Sequence, residues 1–117
     1  MGRNSAFVEF VLDMLAPLGG ASARRMFGGY GFFSDGVMFG LVAGDTLYFK
    51  VGDGNRADFE TAAAPPFVYH RSGREIAMSY REVPSDAMDD PELLSAWARK
   101  ALDAAREAKG KAGKRKA

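Results

Sequence analysis

Two tight turns separated by one strand length constrain the fold of this chain most strongly. Asp35-Gly36 and Gly44-Asp45 stand on either side of an apolar run over residues 37–42. An Asp-Gly pair between two apolar runs is typical of a two-residue β-hairpin, because both positions require positive φ angles. After the second turn, residues 46–51 alternate with the period of two that characterises a strand. The pattern predicts three consecutive antiparallel strands over residues 25–33, 37–42 and 46–51.

Helical patterns on both sides of these strands complete a predicted order of α-β-β-β-α-β-β-α. Apolar residues recur every three or four positions from Phe7 to Leu18, as on one face of a helix. Later patterns predict a short helix over residues 56–63, strands over 67–71 and 74–83, and a last helix that begins at Asp90-Pro91. Short connections favour antiparallel pairing. The chain is therefore predicted to be a two-layer α+β domain, with a mainly antiparallel five-stranded sheet and helices on one face.

Counting residues outward from the two turns assigns side chains to the two faces of the sheet. The face that carries Gly29, Gly31 and Gly40 can accept a helix at close range, so we expect it to be the core face, together with Phe33 and Met38. The opposite face is apolar and has no internal cover in a two-layer domain. Such a patch usually marks an interface, so we predict an interaction surface there. Its residues are Tyr30, Phe32, Phe39, Leu41, Tyr48 and Lys50.

Composition excludes several kinds of site. The chain has no cysteine, which rules out disulfides, cysteine-ligated metals and thiol catalysis. Its single histidine, His70, rules out a metal site with several histidines. We therefore expect no cofactor and no metal. The absence of cysteine also makes a reducing cytoplasm the expected location. No apolar run approaches the roughly 20 residues that span a bilayer, so no membrane partner is expected.

Three local features invite a chemical interpretation. The glycines at 28–31 lack the spacing of a phosphate-binding loop and are interpreted as structural. His70 faces Glu75 across a predicted turn, either as a base–carboxylate couple or, as we favour, as a cross-strand surface pair. Arg24 and Arg25 are a weak candidate for an anion contact, against the alternative of a solvated pair. No catalytic residue is assigned, and no enzymatic activity is predicted.

The net charge of +1 conceals an uneven distribution along the chain. Residues 109–117 hold five basic residues and no acidic one, whereas residues 1–108 carry 11 basic and 15 acidic residues. A short run of positive charge with little apolar content is typical of a disordered segment. We therefore predict one domain over residues 1–108 and a disordered basic tail over 109–117. The tail could contact phosphates weakly.

Several stretches together resemble the TfoX/Sxy N-terminal domain family. The resemblance covers about residues 6–106 and is carried by SARRMFGGYG at 22–31, DGVMF at 35–39, LYFKV at 47–51, Asn55-Arg56, MSYREVP at 78–84 and WARKAL at 97–102. It implies a compact α+β domain similar to the secretion-chaperone-like fold, with no catalytic residues. Full-length regulators of the family carry a second, helical C-terminal domain, whereas the basic tail follows here. A stand-alone domain is therefore expected.

The resemblance also implies a function. Family regulators act in natural competence and promote transcription together with the cyclic-AMP receptor protein. We expect a regulatory, protein-interaction module whose partner is that receptor protein, the transcription machinery or a second copy of the chain. The alternative is a nucleic-acid-binding module that uses the aromatic sheet face and the basic tail, because aromatic side chains on sheets can stack on bases.

Overall fold

A computed structural model describes residues 4–26, 28–71 and 73–116. The helices are α1 (Asn4–Met14), α2 (Arg56–Thr61) and α3 (Pro91–Lys116), with short 3₁₀ helices at Ala16–Leu18 and Ser85–Asp89. The strands are β1 (Ser22–Met26), β2 (Gly29–Ser34), β3 (Val37–Ala43), β4 (Thr46–Lys50), β5 (Pro66–Arg71) and β6 (Arg74–Glu82). Within the described residues they form one sheet of order β1-β2-β3-β4-β6-β5, with antiparallel neighbours throughout. The predicted α+β class is confirmed.

The described part of the sheet has six strands, not the predicted five. The single strand predicted over residues 25–33 is a hairpin, in which Met26 pairs with Gly29. Gly28 has a φ of 75° in the connecting turn, a conformation that glycine adopts without steric cost. The preceding residue, Phe27, lies outside the described residues. The turn adds β1 at the edge of the sheet, where the sequence pattern shows only a run of glycines.

A bulge in β3 changes the register that the Asp35-Gly36 turn sets. The turn itself is confirmed, with φ angles of 52° and 77° at its two residues. Phe33 pairs with Met38, but the next pair is Phe32 with Gly40, so Phe39 is an extra residue in β3. Side chains alternate between the two faces of a sheet. One extra residue in β3 therefore reverses which side chains of β2 share a face with the rest of β3.

The predicted core face is therefore wrong for the part of the sheet near this turn. Phe32 and Phe39, predicted to lie on the interaction surface, are 0% exposed and belong to the hydrophobic core. Tyr30 also packs against that core. A Cβ atom built on Gly31 would point at the side chains of Phe33 and Met38, so these residues share the opposite face. The β3–β4 turn agrees with prediction, and Val42, Leu47, Phe49 and Val51 lie in the core.

The core lies between the sheet and the three helices. Val11 of α1, Phe59 of α2 and Leu94 of α3 are all fully buried in it. Helix α3 packs on β3 and β4. Helix α3 also lies very close to the backbone of the segment that follows β4: a Cβ atom on Gly52 would lie 2.9 Å from the Cβ atom of Ala104. All three described helices thus cover the same side of the sheet.

The last helix extends beyond the predicted domain boundary. Among its residues up to 110, whose side chains the structure describes, the last buried one is Ala105, and residues 106–110 are exposed. The backbone nevertheless stays helical to Lys116, where the sequence analysis expects a disordered tail. No break in secondary structure marks residue 108, and the division into domain and tail stays a prediction.

Candidate interaction surface

The side of the sheet opposite the helices presents an aromatic surface that we call the open face. Register places Gly31, Leu41 and Tyr48 side by side on it, and Lys50 and Tyr80 further along. Contacts add further side chains from neighbouring strands. The open face comprises Arg24, Met26, Phe33, Met38, Leu41, Tyr48, Lys50, Phe67 and Tyr80.

Two cations on the open face lie over aromatic rings. The guanidinium carbon of Arg24 lies 4.5 Å from the centre of the Phe33 ring. The Lys50 ammonium lies 5.4 Å from the centre of the Tyr80 ring, on the other side of β3. Such contacts contribute about 0.5–1 kcal/mol each at exposed sites. They orient both cations along the surface, so a binding partner meets rings and positive charge together.

A third aromatic contact joins β4 to β5. The rings of Tyr48 and Phe67 are tilted by 60°, with 4.9 Å between their centres. Both side chains are only partly buried, so the pair leaves apolar ring surface facing solvent. Rings arranged in this way have low conformational freedom to lose on binding.

Lys50 combines a fixed position with an unusual environment. Its Nζ atom donates a 2.6 Å hydrogen bond to Ser79 Oγ, and burial lowers the pKa of its ammonium. Its backbone is held as well: Asn55, 1% exposed, donates from Nδ2 to the Lys50 carbonyl at 2.9 Å. The Asn55 Oδ1 atom accepts a 2.7 Å hydrogen bond from the Gly52 backbone. The turn after β4 is therefore anchored, and it sets the position from which Lys50 reaches the open face.

The two tyrosines of the open face are neutral at physiological pH. Burial raises the pKa of Tyr80 to about 12. Burial also raises the pKa of Tyr48, the Glu82 carboxylate adds to this effect, and a hydrogen bond with Thr46 opposes it. Both phenols therefore keep their protons. The half-buried Tyr48 can donate a hydrogen bond to a partner, whereas Tyr80 is only 8% exposed.

The structure brings together only part of the predicted interaction surface. Leu41, Tyr48 and Lys50 lie on the open face as predicted. Phe32 and Phe39 are buried in the core, and Tyr30 lies on the helix side. These three placements were wrong because the bulge reverses β2 and the start of β3 relative to β4.

The predicted arginine pair is divided between the two faces. Arg24 lies over Phe33 on the open face, whereas Arg25 has its guanidinium 6.0 Å from the centre of the Tyr30 ring on the helix side. Consecutive residues in a strand point in opposite directions, so the two cannot act as one anion contact. Of these two arginines, Arg24 alone lies on the open face.

Sequence reasoning missed several residues of the open face. The register counted from the turns assigns Phe33 and Met38 to the core, and it extends to neither Phe67 nor Tyr80. The alternation in β6 carried a signal for Tyr80. Its contact with Lys50, however, requires β6 to pair with β4 rather than only with its hairpin partner β5.

The remaining candidate sites gain no chemical support from the described residues. His70 and Glu75 are partners in the β5–β6 register, as the predicted turn requires, but their side chains lie outside the described part of the structure. Among described residues, no group of three potential metal ligands comes together. In the same part of the chain, no helix has the length and apolarity to cross a membrane.

These features define a small α+β domain whose sheet is covered by helices on one side and presents an aromatic, partly cationic surface on the other. The family model for the TfoX N-terminal domain matches residues 13–105. The chain therefore belongs to the TfoX N-terminal domain family, as the sequence motifs predicted. A comparison with curated proteins finds no match.

Proposed function

We propose that this chain is a non-enzymatic regulatory module that binds a protein partner through the open face. The observation that carries the proposal is the Tyr48–Phe67 ring pair, which stays partly exposed on a sheet side with no described helix over it. Aromatic side chains of this kind supply much of the binding energy at protein interfaces. The half-buried Phe33 and Met38 extend the same apolar surface.

Family membership supports a regulatory role for this binding. The resemblance implies regulation of natural competence, with the cyclic-AMP receptor protein or the transcription machinery as partner. A second copy of the chain is another partner of suitable chemistry, since an apolar patch can cover itself across a two-fold axis. All three partners would bury the same rings.

The two cation–aromatic pairs favour one further candidate, a single-stranded nucleic acid. Bases could stack on the half-buried rings of Phe33 and Tyr48 while Arg24 and Lys50 contact phosphates. The basic residues of 109–117 would add to the attraction. The acidic excess of residues 1–108 opposes it, so the protein partner remains our proposal.

The decisive experiment removes one ring and compares three probes. Tyr48→Ala takes away half of the exposed ring pair, and Leu93→Ala on α3 is the matched control, an exposed apolar residue on the helix side. Each variant is tested for self-association, for binding to purified cyclic-AMP receptor protein and for binding to oligothymidine, at low and high salt.

We expect protein binding that Tyr48→Ala abolishes, that Leu93→Ala retains and that depends weakly on salt. Binding to oligothymidine alone, falling steeply with salt, would replace the proposal with the nucleic-acid alternative. Protein binding that is equal in both variants would place the interface elsewhere and refute the role of the open face.

A further inference from the structure

A second surface of different character lies at one end of the sheet. A groove of about 330 Å³ opens between α1, the β3–β4 turn and the 3₁₀ helix that precedes α3. Its apolar side chains include Phe7, Phe10 and Met88. The volume is at the lower end of the roughly 300–1,000 Å³ that small-molecule pockets occupy, so the groove can hold one or two side chains.

The outermost ring of the groove belongs to Phe10, which is exposed and lies outside the hydrophobic core. Phe10 is 44% exposed, the highest value among large apolar side chains in the described residues. It stacks on Phe7, with ring centres 6.2 Å apart and planes 21° from parallel. Phe7 in turn packs against the core, which holds the pair in place. The stack therefore offers a firmly supported aromatic surface to an incoming side chain.

The rim of the groove is negative. Asp45, Glu82 and Asp89 line it, and no basic residue does so in the part of the chain that the structure describes. Aromatic rings beside carboxylates suit an arginine, which can stack on the rings and form hydrogen bonds with the carboxylates. The sign is opposite to that of the cations on the open face, and Glu82, the β6 partner of Tyr48, lies where the two surfaces meet.

We propose that this groove docks a basic amphipathic segment of a partner protein, one that presents a bulky apolar side chain flanked by arginines. The apolar side chain would cover Phe10, and the arginines would meet the carboxylate rim. This docking does not require the function proposed for the open face.

The chain's own basic tail is a poorer occupant. Asp89 ends the 3₁₀ helix just before the Asp90 cap of α3, whereas the tail is at the far end of α3, roughly 30 Å away at 1.5 Å per residue. The tail cannot reach the groove of its own copy while it is helical. Its residues are otherwise alanine and glycine, so the tail of a second copy would satisfy the carboxylates but not Phe10.

Two synthetic helical peptides of equal length test the proposal. Both have leucine on the apolar face, and the polar face carries arginine in one and glutamate in the other. Each is titrated into the isotopically labelled full chain, and binding is followed by amide chemical shifts and by calorimetry. The variants are Phe10→Ala and Asp89→Asn, with Leu93→Ala and Asp103→Asn as matched apolar and acidic controls on exposed positions of α3.

The arginine peptide is expected to bind and to shift amides around Phe10 and Thr46, whereas the glutamate peptide does not. Phe10→Ala and Asp89→Asn should each weaken binding tenfold or more, and the two controls should leave it unchanged. Equal binding of both peptides, shifts centred on the open face, or equal losses in Asp89→Asn and Asp103→Asn would overturn the proposal. Self-association that Phe10→Ala abolishes would also overturn it, by making a second copy the occupant.

Discussion

Phe32 and Phe33 are neighbours in β2, and the bulge in β3 decides which of them supports the core. Phe32 is fully buried on the helix side, opposite Gly40. Phe33 is partly exposed on the open face, beneath the Arg24 guanidinium. Truncation of each ring to alanine removes the same atoms from the same strand. The difference in stability between the two variants therefore isolates the effect of the sheet face on which the ring lies.

The expected losses differ by more than the uncertainty of a denaturation experiment. Truncating a buried phenylalanine costs about 3–5 kcal/mol, because the lost burial is compounded by the cavity left behind. Phe33→Ala should cost about 1–2 kcal/mol, which includes about 0.5–1 kcal/mol for the cation–aromatic contact. Since a domain typically has only about 5–15 kcal/mol of total stability, Phe32→Ala brings the chain close to unfolding.

Urea denaturation followed by Trp97 fluorescence measures both losses. Trp97 is the single tryptophan and packs edge-on against buried Phe59, with 4.8 Å between ring centres, so its emission reports on the core. With a slope of about 1–3 kcal/mol per molar urea, Phe32→Ala should lower the midpoint by about 2 M and Phe33→Ala by less than about 1 M. If Phe33→Ala is the more damaging change, the register runs without a bulge and the assignment of the open face is reversed.

Three further outcomes are expected. Asn55→Ala should lower stability by about 1–3 kcal/mol in thermal or urea unfolding, because it removes two hydrogen bonds at a buried turn; a loss below about 0.5 kcal/mol would contradict this. Burial raises the pKa of Tyr80 from 10.0 to about 12, so the unfolded chain loses this proton first. The contribution of this group to the free energy of unfolding should therefore be fully present below pH 10 and decline as the pH rises toward 12. Tyr80→Phe should flatten that decline in urea midpoints, and an unchanged decline would show that other groups cause it. Deletion of residues 109–117 should shift the melting temperature by less than about 2 °C, since the helix buries nothing after Ala105 in the described part; a larger drop would show that the tail is docked.

Features that depend on a few consecutive residues were predictable from the sequence. Asp35-Gly36 forms the expected hairpin turn, because few residue pairs accept two positive φ angles. Asp90 caps α3 as expected: its carboxylate accepts hydrogen bonds from the backbone of Glu92 at 3.0 Å and of Leu93 at 3.2 Å. The family motifs were recognisable for the same reason, since each is a short contiguous stretch.

The membership of the open face depended on contacts that no local pattern encodes. The sequence by itself determined the turns, the order of most elements, the cap of α3 and the presence of an aromatic sheet surface. The tertiary structure decided that Phe39 bulges out of register, which moved Phe32 into the core and Phe33 to the open face. It also placed β6 between β4 and β5, which brought Tyr80 beneath Lys50. Alternation specifies that neighbouring residues face opposite ways, but which way is settled only when the helices pack against one side and bury the rings that fit beneath them.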